Sequence, residues 1–134
     1  MNIALISCSS KKKNYECKAE EMYSESTLFR YSLKYAKQKF DKIFILSAKY
    51  KLLDLNKIII PYNITLNKMS KNEKDDWYKE VSKQITNQTS IDDIIYILAG
   101  KNYYSHLSIP NQIIIITNLP IGKRIKWLKD KTCM

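Results

Sequence analysis

Four short apolar runs punctuate the chain, at residues 3–7, 43–47, 94–98 and 113–117. Each run is nearly continuous and rich in β-branched residues, whereas a strand with one wet face would alternate apolar and polar positions. Continuous runs are typical of strands that are covered on both faces, so these four predict buried strands. A shorter run at residues 58–60 predicts a fifth strand.

Apolar positions between these runs follow the spacing of helices. Residues 24–26 (Ser-Glu-Ser) supply an N-cap and a first-turn acid for one helix. Ser70 and Glu73 form the capping-box pattern of a second helix, and a third follows Pro120. The apolar positions at helical spacing are Phe29, Leu33, Ala36 and Phe40, then Trp77, Val81 and Ile85, then Ile121, Ile125 and Leu128. The pattern predicts three helices that alternate with the strands.

Strands that alternate with helices indicate βαβ units, and therefore a mainly parallel sheet with helices on both faces. We predict a compact three-layer α/β/α sandwich around a short sheet of four to five strands. The 134 residues suffice for one domain, at residues 1–134, and contain no linker or repeat. Ligands of such sheets bind at the carboxyl ends of the strands, so the segment after each strand is a candidate for the site.

The chain carries 23 Lys and Arg residues against 13 Asp and Glu, a formal net charge of +10. This excess favours an anionic partner, either nucleic acid or a nucleotide-like ligand. The excess of basic residues is weak evidence for such a partner, because 21 of them are Lys and only Arg30 and Arg124 are Arg. An AT-rich genome supplies Lys, Asn and Ile whatever the function, whereas bidentate phosphate contacts favour Arg. The position of the charges therefore matters more than their total.

Cysteine usage and hydropathy indicate a cytoplasmic protein with no membrane partner. Cys8, Cys17 and Cys133 are odd in number and lack CxxC spacing, and the single histidine, His106, cannot complete a zinc site with them. We therefore expect no disulfide framework, no metal and no cofactor. The first apolar run is too short for a signal peptide, and no stretch approaches the roughly 20 apolar residues of a membrane span.

The loop after the first strand has the composition of an anion-binding loop. Residues 7–13 read Ser-Cys-Ser-Ser-Lys-Lys-Lys, so small hydroxyl residues and free backbone N–H groups precede three lysines. The loop lacks the glycines of a Walker motif, and Asn14 stands where a cysteine phosphatase has its arginine. Ser9, Ser10 and Lys11 are therefore candidates for binding phosphate. Two alternatives stay open: a merely solvated loop, and the loop cysteine acting as a covalent nucleophile.

The next two buried strands also end in polar and aromatic residues. Ser47 ends the second strand, Lys49 and Tyr50 follow it, and together they offer a hydroxyl, an ammonium and a ring that could stack on a base. Gly100 and Tyr103 follow the third, and the rare glycine suggests a positive φ or a close approach of backbone. For any single tyrosine, packing against the core is the alternative role.

Acid–base candidates are few. Asp54 is the one carboxylate close to a predicted strand end with apolar neighbours, and Asp54 and Lys49 are our catalytic candidates. The acids of the second helix alternate with lysines, which is typical of a salt-bridged surface. His106 is more typical of a surface or structural histidine than of a catalyst.

Five segments together resemble the YaaA-like domain family of bacteria and phages, at residues 5–13, 19–29, 46–69, 97–107 and 120–128. They run through nearly the whole chain. The Leu-Ser-x-x-Tyr-x-Leu-Leu block followed by Pro-Tyr is similar to the peroxide-stress protein YaaA, a DNA-binding protein. The Cys-Ser-x-x-Lys loop is similar to the core of archaeosine synthase. The resemblance implies a fold like that of uracil-DNA glycosylase.

The resemblance also implies a pocket around the loop after the first strand. Its residues would be Cys8, Ser9, Ser10, Lys11, Ser47, Lys49, Tyr50, Tyr62, Thr65, Gly100 and Tyr103. Tyr23 and Ser24 would lie at the entrance of the first helix, where backbone N–H groups favour an anion. Lys51 stands where the family usually has glycine, so if that glycine has a positive φ, the turn is reshaped here.

The leading hypothesis is a nucleobase- or nucleotide-directed domain, in the form of a DNA base glycosylase or a related base-processing enzyme. In this hypothesis the Ser/Lys loop holds phosphate, a tyrosine stacks on the base, and Asp54 orients water or stabilises an oxocarbenium-like centre. Two alternatives belong to other classes. One is a non-catalytic DNA-binding stress or defence module, and the other is a sensor of a free nucleotide-derived signal.

Overall fold

The computed structural model describes residues 1–132, so Cys133 lies outside the described residues. The strands are β1 (Asn2–Ser7), β2 (Cys17–Lys18), β3 (Lys42–Ser47), β4 (Lys51–Asp54), β5 (Ile58–Ile59), β6 (Ile94–Leu98) and β7 (Ile113–Ile115). The helices are α1 (Ala19–Met22), α2 (Thr27–Lys39), α3 (Lys71–Gln88), α4 (Lys101–Tyr104) and α5 (Ile121–Thr132), with a 3-10 turn at Leu66–Lys68.

A five-stranded sheet forms the middle of the molecule, in the order β4-β3-β1-β6-β7. Strands β3, β1, β6 and β7 run parallel, and β4 runs antiparallel to β3 at one edge. This mainly parallel sheet confirms the predicted α/β class and the four predicted strands, but β7 at its edge is not buried, since Ile113 and Ile115 are each 37% exposed. The predicted fifth strand lies elsewhere, because β5 pairs with β2 in a separate two-stranded sheet.

Two hydrophobic cores cover the two faces of the sheet. Alternate residues of β1 point to opposite faces, so Ile3 and Leu5 pack with α3, whereas Ala4 and Ile6 pack with α2 and α5. All four side chains are at most 2% exposed. Burial on both faces explains why β1 reads as a continuous apolar run rather than an alternating one.

The long helices begin where their sequences predict. The Ser26 side chain caps α2 by accepting a hydrogen bond from Phe29 N at 3.2 Å. At α3, Ser70 and Glu73 form both bonds of a capping box. These caps fix the starts of the helices, and for α2 that start lies close to the carboxyl end of β1.

The chain changes direction across the sheet at β1. The connection from β1 through α2 leads to β3 on one side, and the connection from β3 through α3 leads to β6 on the other side of β1. The carboxyl ends of β1 and β6 therefore flank a crevice of the kind in which open α/β sheets bind ligands. Across residues 1–132, none of the helices has the length and apolar character needed to cross a membrane.

Candidate functional site: a polar cleft at the carboxyl edge of the sheet

A cleft of about 700 Å³ opens at the point where the strand order reverses. Its floor is the end of β1 with the loop that follows, at residues 7–11. Its walls are the start of α2, the start of α4 with Gly100, and the first two turns of α5. Nine of the nineteen lining residues carry a hydroxyl or amide side chain, and none of the lining residues is Asp or Glu within the described chain.

The loop after β1 is tied to the sheet on one side and to itself on the other. Cys8 N donates to Leu46 O at 3.0 Å, which continues the β1–β3 pairing beyond the strand. Lys11 N donates to Ser9 Oγ at 3.1 Å and closes a tight polar turn. These bonds hold the three predicted phosphate-binding residues, Ser9, Ser10 and Lys11, along the cleft.

The most telling residue of the cleft is Arg124, in the first turn of α5. Its Nη2 donates to Leu119 O at 3.0 Å, and its Nε is buried with no hydrogen-bond partner. None of the ion pairs observed among residues 1–132 involves this side chain. Burial lowers the pKa of Arg124, and the nearby Tyr104 opposes that shift. A guanidinium keeps its charge in proteins, so the cleft contains a cation that forms no ion pair among residues 1–132.

Three hydroxyls, two of them on buried residues, form a triangle behind the floor of the cleft. Tyr23 Oη lies 2.7 Å from Tyr62 Oη, Ser47 Oγ lies 2.9 Å from Tyr62 Oη, and Tyr23 Oη donates to Ser47 Oγ at 3.5 Å. Ser47 Oγ also accepts from Tyr50 N at 3.0 Å, and Trp77 Nε1 donates to Ser47 O at 3.0 Å. Ser47 therefore anchors a polar network that joins β3 to both cores.

Cys8 lies between this network and the open cleft. Its Sγ is 3.3 Å from Tyr103 Oη, which comes from the wall opposite α2. Lys12 Nζ lies 4.4 Å from the centre of the Tyr62 ring. Burial lowers the pKa of Lys12, and the charge of Cys8 raises it. The cation covers one face of the Tyr62 ring, so that face does not form an open platform for a base.

Burial keeps the tyrosine hydroxyls of this region protonated. It raises the pKa of Tyr23 to about 12, with the charge of Cys8 as the second cause. Burial, followed by the charge of Cys8, also raises the pKa values of Tyr62 and Tyr103 above the usual range. At neutral pH these residues act as neutral hydrogen-bonding groups rather than as bases.

The structure brings together most of the residues that the sequence predicts for the site. The residues that line the cleft or belong to the network behind it are Cys8, Ser9, Ser10, Lys11, Tyr23, Ser47, Tyr50, Tyr62, Gly100 and Tyr103. Ser24, Lys49, Asp54 and Thr65 do not line the cleft. Ser24 and Lys49 border two other surface depressions, and Thr65 Oγ1 is buried with no hydrogen-bond partner.

Asp54 is placed away from the cleft by the direction of β4. Because β4 is antiparallel, Asp54 pairs with Phe44 near the start of β3, whereas Lys51 pairs with Ser47 at its end. Three residues of strand separate Asp54 from the carboxyl edge by about 10 Å. The carboxylate is exposed and lies 3.9 Å from Lys42 Nζ. The geometry gives Asp54 no part in chemistry at the cleft, and Lys49 extends instead over the Tyr50 ring, with Nζ 5.3 Å from its centre.

Two backbone expectations are corrected. Gly100 has a φ of −65°, and a Cβ at this position would meet no atom within 4 Å, so neither a positive φ nor close packing within the chain requires glycine. Lys51, by contrast, has a φ of 63°. The turn between β3 and β4 thus adopts the left-handed conformation with a lysine in place of a glycine, and no reshaping is needed.

Sequence reasoning did not assign several lining residues to the cleft, namely Arg124, Ser26, Thr27, Asn67 and Asn102. Arg124 carried a usable signal, since it is one of two arginines in a lysine-rich chain and lies in the first turn of a helix. The two asparagines carried none, because asparagine is common in this chain. Within residues 1–132 no cluster of His, Cys, Asp and Glu could hold a metal ion, and Cys8 and Cys17 are free thiols.

The fold and the cleft together define an α/β sandwich domain with a polar cleft at its switch point, the position at which open α/β sheets bind ligands. The chain is a member of a family described as "Family of unknown function (DUF6884)", whose model matches residues 3–130. That description assigns no activity. No curated protein matches the chain.

Proposed function

We propose that this protein binds the phosphate group of a nucleotide-like ligand in the cleft at the carboxyl edge of the sheet. The observation that carries the proposal is Arg124, a partly buried guanidinium that lines the cleft without a carboxylate partner in the described chain. A charge removed from water without a partner is strongly destabilising, and an anionic ligand would offset that cost.

The surroundings of Arg124 suit phosphate in particular. The N-terminus of α2, a helix of 13 residues, opens into the cleft at Ser26 and Thr27 with the positive end of its dipole. Ser9, Ser10 and Lys11 contribute hydroxyls and an ammonium. Arginine matches phosphate geometry with two parallel hydrogen bonds, which a single lysine cannot provide.

The proposal is a binding function rather than glycosidic cleavage. Cleavage through an oxocarbenium-like centre needs a carboxylate near the sugar, and neither Asp54 nor any other described acid lines the cleft. A sensor of a nucleotide-derived signal therefore fits the geometry better than a base glycosylase.

Replacing Arg124 tests the proposal directly. Arg124→Gln should weaken the binding of nucleoside monophosphates at least about tenfold, because a hydrogen bond to a charged group contributes about 1.5–3 kcal/mol. Isothermal titration calorimetry with the four ribonucleoside monophosphates and ribose 5-phosphate measures the change.

Arg30 provides the matched control. It is the only other arginine, it is exposed, and its Nη1 donates to Ser24 O outside the cleft. Arg30→Gln should bind like the wild type. Wild-type protein that binds none of these phosphates, or Arg124→Gln protein that binds them unchanged, would contradict the proposal.

A second candidate function, nucleic-acid binding, is favoured by the outer surface of α5. Lys123, Lys126 and Lys129 are exposed on this helix beside Arg124, and none of them forms an ion pair in the described chain. A row of cations that continues beyond the cleft suits a polyanion.

A further inference from the structure

Two asparagines from different segments form a hydrogen-bonded pair at the wall of the cleft. Asn67 lies in the 3-10 turn before α3, Asn102 lies in α4, and Asn102 Nδ2 donates to Asn67 Oδ1. Both residues line the same cleft as Arg124. We propose that this asparagine pair reads the hydrogen-bonding edge of the ligand's nucleobase, an inference that rests on the proposed phosphate-binding function.

The pair has hydrogen-bonding capacity left over. The bond between the two side chains uses one N–H of Asn102 and the carbonyl oxygen of Asn67. Both N–H groups of Asn67, together with the second N–H and the Oδ1 of Asn102, have no partner among residues 1–132, and both side chains are exposed to the cleft. A nucleobase presents donors and acceptors side by side on its edge, so one base can engage a free donor and the free acceptor of the pair.

The backbone that carries the pair is anchored from behind. Leu66, next to Asn67, is 1% exposed in the core on the α3 side of the sheet. The backbone carbonyl of Asn102 accepts a hydrogen bond from Tyr78 Oη of α3. The neighbouring Tyr103 packs edge-on against Trp77, with ring centres 6.0 Å apart. Amides held on a fixed backbone discriminate between partners better than amides on a free loop, because less motion is lost on binding.

The pair differs in charge from the groups proposed to bind phosphate. The loop after β1, the start of α2 and Arg124 supply hydroxyls and cations, and Lys101 also lines the cleft, whereas Asn67 and Asn102 are neutral. Gly100 adds no side chain beside Asn102, and a Cβ there would meet nothing within 4 Å. This open space leaves room for a flat ring, and the cleft volume of about 700 Å³ suffices for a nucleotide.

The test compares each nucleotide with the same phosphate lacking a base. Calorimetry gives the dissociation constants of AMP, GMP, CMP, UMP and ribose 5-phosphate. The dissociation constant of ribose 5-phosphate divided by that of each nucleotide isolates the contribution of the base. We expect a ratio of at least about ten for the preferred base. In Asn67→Asp protein, residue 67 can still accept from Asn102 but loses both donors, so the ratio should fall at least about fivefold.

Asn63→Asp is the matched control. Asn63 is exposed and lies outside the cleft lining. Its substitution by Asp makes the same change of charge, four positions from residue 67 in the chain. It should leave the ratio unchanged, and thermal unfolding should show that both variants fold. A wild-type ratio near one for every base, or an unchanged ratio in Asn67→Asp protein, would overturn the inference while leaving phosphate binding intact. Binding of neither ribose 5-phosphate nor any nucleotide would overturn both proposals.

Discussion

Lys51 shows how one residue can hold a costly conformation for the sake of its turn. Its φ of 63° lies in the left-handed region, which a Cβ disfavours. The residue nevertheless pairs with Ser47 as the first position of β4, so the hairpin that covers the edge of the sheet depends on it. Strand pairing on both sides of the turn fixes its geometry and holds Lys51 in this strained conformation.

Lys51→Gly should therefore stabilise the protein, by about 0.5–1 kcal/mol, because relief of the left-handed strain exceeds the added flexibility of the unfolded chain. Urea unfolding measures the difference. Lys49→Gly, two positions earlier, should destabilise the protein, since no left-handed φ is relieved there. A loss of stability in Lys51→Gly protein would refute the strain argument.

Because of the hydroxyl of Tyr23, the stability of the protein should fall as the pH rises into the alkaline range. Its pKa is about 12 in the folded state, against 10.0 for the unperturbed group. Folded protein therefore holds this proton more tightly, and the resulting stability is complete below pH 10 and is lost as the pH rises towards 12. The difference of two units between these pKa values corresponds to roughly 2.7 kcal/mol in the free energy of unfolding.

Tyr23→Phe should flatten part of this alkaline decline, and the free energy of unfolding between pH 9 and pH 12 measures it. The variant loses hydrogen bonds to Ser47 and Tyr62, so the slope with pH is the readout rather than the absolute stability. Tyr15→Phe, at a side chain that is 56% exposed, should keep the wild-type slope. Equal slopes in Tyr23→Phe and wild-type protein would show that this hydroxyl is not the source.

Two helices begin at the cleft, and both add positive character to it. The start of α2 presents Ser26 and Thr27, and the start of α5 presents Arg124. The helices pack against each other on the same face of the sheet, which places both N-terminal ends at the carboxyl edge of β1. The lysines farther along α5 extend this positive region over the surface of the molecule.

Neutralising α5 separates the two candidate partners. The double variant Lys123→Gln and Lys126→Gln should weaken the binding of a single-stranded oligonucleotide and make it less dependent on salt, because fewer counterions are released. Fluorescence anisotropy at several salt concentrations measures both effects. Affinity for a mononucleotide should stay unchanged.

The control carries the same charge change on the other face of the sheet. Lys79 and Lys83 lie on α3, and the double variant Lys79→Gln and Lys83→Gln should leave the affinity for the oligonucleotide unchanged. If both double variants lose affinity equally, the effect is one of total charge, and the surface of α5 is not a specific site.

At the scale of the whole molecule, the sequence predicts the layers better than the site. Continuous apolar runs identify β1, β3 and β6 because a strand covered on both faces needs apolar residues at most positions. The same kind of run identifies β7, although that strand lies at the edge of the sheet with Ile113 and Ile115 exposed. The criterion of continuous apolar runs does not identify strand β4, because this edge strand has the charged residues Lys51 and Asp54 at its two ends. Its direction decides where Asp54 lies, and no local pattern encodes the direction of a strand.

Residues near strand ends were predictable for the same geometric reason. Ser47 ends a parallel strand, Cys8 and Tyr103 come after two others, and such ends converge at one edge of the sheet. Arg124 reaches the cleft from a helix that packs over the edge, so its position depends on tertiary contacts between α2 and α5. The asparagine pair depends likewise on the 3-10 turn meeting α4.

The hydrogen bond from Trp77 to the backbone of Ser47 gives the unlabelled protein an optical probe of its own. The indole is 2% exposed, directly behind the hydroxyl network, and the Tyr103 ring at the cleft wall lies 6.0 Å away. With Trp127→Phe in place, Trp77 is the single indole emitter. Its emission should shift or change intensity as a nucleotide fills the cleft, and titration by fluorescence should return the calorimetric dissociation constant. Constant emission at saturating ligand would mean that occupancy of the cleft leaves its floor undisturbed.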